Sequence, residues 1–96
     1  HRAIAELATV IRPQLTILDA TRALVTNGPT GPGKLKELNT IIASVDPLAV
    51  DAYGTTLANW NNRTYTPESV KHLAYAAQLG VGEIDLSKIK ITKFSI

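Results

Sequence analysis

Two short apolar runs limit what this chain can fold into. QLTILDA (14–20) and LNTIIAS (38–44) are too short for packed helices, yet are apolar enough to be buried strands. The first run stops at Asp19, and the second leads into Asp46-Pro47. Aspartate is a strong helix N-cap and proline suits the first helical position, so a helix is predicted over 47–60. Its small residues Ala49, Ala52, Gly54 and Ala58 suit close packing on a sheet. Ile4, Leu7, Ala8 and Ile11 recur at helical spacing and predict a helix over 2–11, ended by Pro13. Thr66-Pro67-Glu68 repeats the cap-plus-proline start. It opens a helix over 67–79 with a stripe of Val70, Leu73, Ala74 and Ala77, and Gly80 at the left-handed C-cap. Ile89 and Ile91 alternate with Lys88, Lys90 and Lys93, which predicts an edge strand over 88–94.

Strands alternating with helices imply an α/β fold with a small, mainly parallel three-stranded sheet over 14–19, 38–44 and 88–94. Parallel sheets need cover on both faces. The expectation is therefore one domain over 1–96 that is the C-terminal fragment of a larger α/β domain. Its sheet would be completed by an N-terminal remainder or by another copy of the chain. With 96 residues, 45% of them hydrophobic, a lone core is only marginally stabilising.

The ten basic residues give a formal charge of +2 and are scattered, apart from Lys34/Lys36 and Lys88/Lys90/Lys93. The few aromatics lie away from the lysines, so no nucleic-acid partner is expected. No apolar run approaches the roughly 18 residues of a membrane span, and no membrane partner is expected either. There is no cysteine, which excludes disulfides, thiolate metal sites and any iron–sulfur cluster held by this segment, and fits a cytoplasmic setting. With no Met at the start, the natural N-terminus is expected to lie upstream.

The loop TNGPTGPG (26–33) holds Gly28, Gly33 and Lys34 at the spacing of a phosphate-binding loop. Leu35 stands where that motif needs Ser or Thr, and Pro29 and Pro32 remove two backbone donors. Nucleotide hydrolysis is excluded on these grounds. Lys34 and Lys36 remain candidates for a weaker anion site, against the plainer reading of a solvated loop. No serine sits in a nucleophile elbow.

Candidate ligand-binding residues gather after the strand ends: Asp19, Asn27, Gly28, Lys34, Asp46 and Asp51. Ligands of open α/β sheets collect beyond the carboxyl ends of strands. If the first two strands are parallel neighbours, Asp19 and Asp46 share a rim. Asp51 lies in a nearly uncharged helix, where a carboxylate is exposed, paired or functional. Asp19, Asp46 and Asp51 are oxygen donors of the kind that hold a divalent metal. The competing reading makes Asp46 only a helix cap and Asp51 the partner of a base such as Arg22.

The segments TILDATRALVTNGPTGPGK, IIASVDPLAVDAYG and AAQLGVGEIDLSKIKI together resemble the domain-of-unknown-function family 362, from about residue 10 to 93. The resemblance implies the C-terminal portion of the family domain. It also implies a redox setting, because family proteins often carry ferredoxin-like modules with cysteine-bound clusters. Any such cluster would lie outside this segment. The family pattern maps onto Asp19, Asn27, Gly28, Pro29, Asp46, Pro47 and Asp51, while Thr21 and Arg22 stand where many relatives have small residues. No reaction carries over, and whether the chain is part of an enzyme stays open. Two functions are expected to compete. One is half of a metal- or anion-binding cleft in a redox-associated protein. The other is an interaction module that completes a sheet or docks a ferredoxin-like partner.

Overall fold

The computed structural model describes residues 1–94. Helix α1 spans Arg2–Val10, strand β1 Thr16–Leu24, strand β2 Leu35–Ser44, helix α2 Pro47–Gly54 and helix α3 Lys71–Gln78. Short 3-10 turns cover Pro67–Ser69 and Leu86–Lys88. The fold is a small α/β arrangement, but its sheet corrects the expectation of three mainly parallel strands. Among the described residues there are two strands, paired antiparallel.

The physical reason lies in the connection. Parallel neighbours need a crossover of a dozen or more residues, usually a helix. Val25–Lys34 offers only a glycine- and proline-rich loop, closed by Val25 N–H donating to the Lys34 carbonyl at 2.8 Å. The strands therefore form a hairpin, with Thr16 opposite Ser44 and Leu24 opposite Leu35. β1 thus runs five residues beyond Asp19. The register slips between Ala20 and Arg22, where Thr21 faces both Leu38 and Asn39. Asn39 adopts φ +49° at this bulge, a left-handed conformation that asparagine tolerates.

The expected strand over 88–94 does not form. Asp85 accepts hydrogen bonds from the Ser87 N–H and hydroxyl, which fixes the Leu86–Lys88 turn. Ile89–Phe94 then runs on without pairing. α2 ends at Gly54 rather than at residue 60. The Thr55 and Thr56 hydroxyls donate to the carbonyls of Ala52 and Tyr53, offering the backbone an alternative to further helix. The third helix starts late because the Ser69 hydroxyl accepts from Thr66 N–H and donates to the Thr66 carbonyl, tightening the first turn. At its other end Gly80 has φ +76°, and Val81 N–H reaches back to the Ala76 carbonyl at 3.0 Å.

Ala5, Leu48, Leu73 and Ala76 form the core cluster where the three helices meet. α1 turns only Ala5 into it. The apolar stripe that marks this helix in the sequence stands largely in solvent, with Ile4 and Leu7 each 59% exposed and Ile11 64%. α2 packs on the inner face of the hairpin, where Leu18 opposes Ile42 and Ala20 opposes Thr40. The outer face leaves Ile17 and Ile41 exposed.

Candidate ligand cleft between the hairpin and the helices

A cleft of about 370 Å³ opens between β1, the end of α2 and the start of α3. Leu18, Leu38, Leu57 and Leu73 give it apolar walls, and Arg22, Asp51 and His72 bring charge-bearing groups to the same space. Gly54 eases this closeness: a Cβ there would stand 3.0 Å from Leu18 Cδ2, so a larger residue would make the Leu18 side chain give way. Trp60 also lines the cleft, its indole N–H donating to the Thr55 carbonyl at 3.2 Å.

Asp51 stands exposed at the cleft mouth, but apolar surroundings crowd its carboxyl. Desolvation pushes its pKa above the ordinary value, and the charge of His72 pulls the other way. A carboxyl whose folded pKa is raised is more protonated in the folded state than in the unfolded one. Its contribution is fully present below the unfolded value and is lost as pH rises through the folded value. Asp51→Asn is therefore expected to remove a loss of stability that begins just above pH ~4. Thermal unfolding followed against pH for both proteins checks this, and identical profiles would contradict it.

Asp19 borders the cleft, but its carboxylate is turned to local use. It accepts the Thr21 hydroxyl at 2.6 Å and the Thr21 N–H at 3.0 Å, and these bonds lower its pKa. Asp46 caps α2, accepting Ala49 N–H at 3.0 Å, and accepts Glu83 N–H at 2.9 Å with its other oxygen. The antiparallel register separates the two. Ser44 pairs with Thr16, and Asp19 lies three residues further along β1. At ~3.4 Å per residue that is roughly 10 Å before Asp46 continues in the opposite direction. A single metal ion holds its oxygens at about 2–2.6 Å, so this register does not bring both carboxylates to one ion.

Asn27, Gly28 and Lys34 sit in the hairpin loop, outside the cleft lining. Asn27 has φ +53°; its side-chain amide donates to the Pro32 carbonyl at 3.1 Å and its backbone N–H to Asn61 Oδ1 at 3.3 Å. Lys34 N–H donates to Thr26 Oγ1 at 2.7 Å. Gly33 lies so close to the Thr26 carbonyl that no Cβ fits between them. These contacts hold the loop's own shape. Among the described residues no group of three His, Cys, Asp or Glu side chains is placed to hold a metal.

Of the cleft's charge-bearing groups, His72 escapes sequence reasoning and Arg22 enters it only as an ion-pair partner of Asp51. His72 reads as a surface residue, yet it is half-buried on the cleft wall. Arg22 reads as a partner for Asp51, but the one ion pair among the described residues joins Arg2 to Glu6 at 3.2 Å. The place of His72 one residue from the apolar stripe, beside Leu73, is the one signal the sequence offers; nothing in the sequence joins it to Arg22.

The family model described as "Domain of unknown function (DUF362)" matches residues 1–56, more than half of the chain. The chain belongs to this family. The DUF362 match takes in α1, the hairpin and α2, with Asp19, Arg22 and Asp51 of the cleft. The wall built by Val70, His72 and Leu73 lies outside the matched stretch, as does the 76–91 segment on which part of the resemblance rests. No curated protein and no solved structure matches the chain. An iron–sulfur cluster does not fit these residues, because the chain has no thiolate to ligate one. Among the described residues no helix is long and apolar enough to cross a membrane.

Proposed function

We propose that this DUF362 segment supplies one wall of a cleft for a small organic anion within a larger domain. The observation that carries this is the convergence of Arg22, Asp51 and His72 on one apolar-walled cleft. An apolar pocket of a few hundred Å³ with a few convergent polar groups and a perturbed carboxyl is the usual form of a small-molecule site. Arg22 is the anion-recognising group, since a guanidinium can meet a carboxylate with two parallel hydrogen bonds. The leucines take the ligand's apolar body, and Asp51 and His72 meet its polar end. No reaction is assigned to the site.

The test uses small aliphatic and aromatic carboxylates as probes, titrated while the backbone amides are followed by NMR. Shifts are expected at residues 18–23 and 51–57 and around His72. Arg22→Ala is expected to weaken binding by about ten- to a hundredfold, the size of one charge-assisted hydrogen bond. Shifts centred on the hairpin loop, or an unchanged affinity in the variant, would overturn the reading.

The second reading, an interaction module docking other α/β elements or a ferredoxin-like module, is supported by the exposed stripe of α1. Val10 is 80% exposed beside Ile4, Leu7 and Ile11. Contiguous apolar surface of this kind marks contact surfaces. Ile4→Lys and Leu7→Lys are expected to change unfolding free energy by no more than about 0.5 kcal/mol, because both side chains are mostly exposed. The same variants abolish any association through this face, measured by sedimentation. A large stability loss would instead place these side chains in the core.

A further inference from the structure

A groove of about 480 Å³ runs along the free edge of β2; it shares Leu57 with the cleft but none of Arg22, Asp51 and His72. One wall is the continuous stretch Asn39–Ser44, the other is the unpaired segment Ile89–Phe94, and Val50, Tyr53 and Leu57 form the floor. β2 pairs with β1 along one edge only. In an antiparallel ladder alternate residues point their N–H and C=O groups away from the partner, so the other edge is a template for a further strand. Among the described residues no backbone hydrogen bond joins Asn39–Ser44 to the facing segment. The two walls stand apart with apolar floor between them.

We propose that this groove takes an extended acidic peptide, which adds a strand to β2 between the hairpin and Ile89–Phe94. The charge of the groove selects the partner. Lys90 and Lys93 line it and, among the described residues, no carboxylate does. A strand alternating apolar and acidic residues would set its apolar side chains on Tyr53 and Leu57. Its acidic ones would meet the two lysines, while the main-chain hydrogen bonds supply affinity. A second copy of this chain is a poorer occupant, because pairing two β2 edges would bring two sets of lysines together. This inference goes beyond the proposed cleft and does not depend on it.

The test is titration of the full chain with a short blocked peptide alternating glutamate and valine, beside a lysine–valine counterpart and a glutamate–valine peptide N-methylated at alternate positions. The glutamate peptide is expected to bind at least about tenfold more tightly than the lysine one, more weakly as salt rises. It is also expected to protect amides of Asn39–Ser44 from hydrogen exchange. N-methylation abolishes binding, and Lys90→Glu with Lys93→Glu reverses the charge preference. Four outcomes overturn the proposal: no binding, charge-indifferent binding, protection elsewhere, or self-association through these amides without peptide. Carboxylate shifts around Arg22 are read separately, so failure of the cleft and failure of the groove are told apart.

Discussion

Asp46→Ala is expected to cost about 2–4 kcal/mol of unfolding free energy, the sum of a lost N-cap and a lost charge-assisted bond. One carboxylate oxygen holds the first turn of α2 through Ala49 N–H, and the other holds Glu83 N–H, 37 residues further along the chain. Asp46 therefore ties the segment after α3 to the start of α2. Gly82 makes this possible, because a Cβ there would collide with the carboxylate, whose Cγ would lie 2.6 Å away. Gly82→Ala should lose part of the same energy by pushing the carboxylate aside. It should cost much less in the Asp46→Ala background, since the group it displaces is already gone. Asp46→Asn should fall between wild type and alanine. An amide offers one acceptor, and its NH₂ faces one of the two N–H groups as a fellow donor. Urea unfolding of the four proteins measures this cycle. Additive losses, or a loss below about 0.5 kcal/mol for Asp46→Ala, would show that the carboxylate holds neither segment.

Asp46 also marks how far the sequence could be read. The Asp-Pro pair announces a helix start because capping is local chemistry, and α2 begins at Pro47 as the pattern predicts. Gly80 ends α3 for the same kind of reason. The bond from Glu83 N–H is invisible in sequence, because nothing in the spacing of residues 46 and 83 brings them together. Strand direction is not legible in such runs, because a short apolar run looks the same in a parallel and an antiparallel sheet. The decisive sign was the lack of a helical segment between Leu24 and Leu35. The Lys–Ile alternation after Ser87 has strand periodicity, but a strand also needs a partner edge, and the Asp85 turn leaves the segment beside β2 without pairing to it. The α1 stripe has the right period and an unexpected direction: periodicity shows that a helix has an apolar face, not that this chain covers it. Within the cleft, Asp51 stood out as a lone carboxylate in an apolar helix. Arg22 and His72 carry no motif, and only the packing of β1 and of α3 on α2 places them with it.

Leu48→Ala and Leu73→Ala are expected to produce the largest losses, about 2–5 kcal/mol each, because each removes a large buried side chain from the core cluster and leaves a cavity that closes only in part. Both are 3% exposed, and the other fully buried members of the cluster are Ala5 and Ala76. Alanines have no reach to fill a vacated leucine site, and only the rim residues Val70, Tyr75, Val81 and Ile84 can close part of each cavity. The two positions should still differ. Leu73 also lines the ligand cleft, whereas Leu48 does not. Truncating Leu73 opens its cavity to the cleft, where water can enter, while truncating Leu48 leaves an enclosed apolar void. Leu48→Ala should therefore be the more costly of the two. Leu73→Ala should in turn loosen α1, which packs on α3 through Ala5, and raise hydrogen exchange along Arg2–Val10 before the hairpin is affected. It should also weaken carboxylate binding, since the floor under the ligand is lost. Denaturant unfolding ranks the two variants and exchange rates locate the loosening. Uniform exchange across α1 and the hairpin would mean that the helices and the sheet open as one unit, with no separate weak point at the α1–α3 contact.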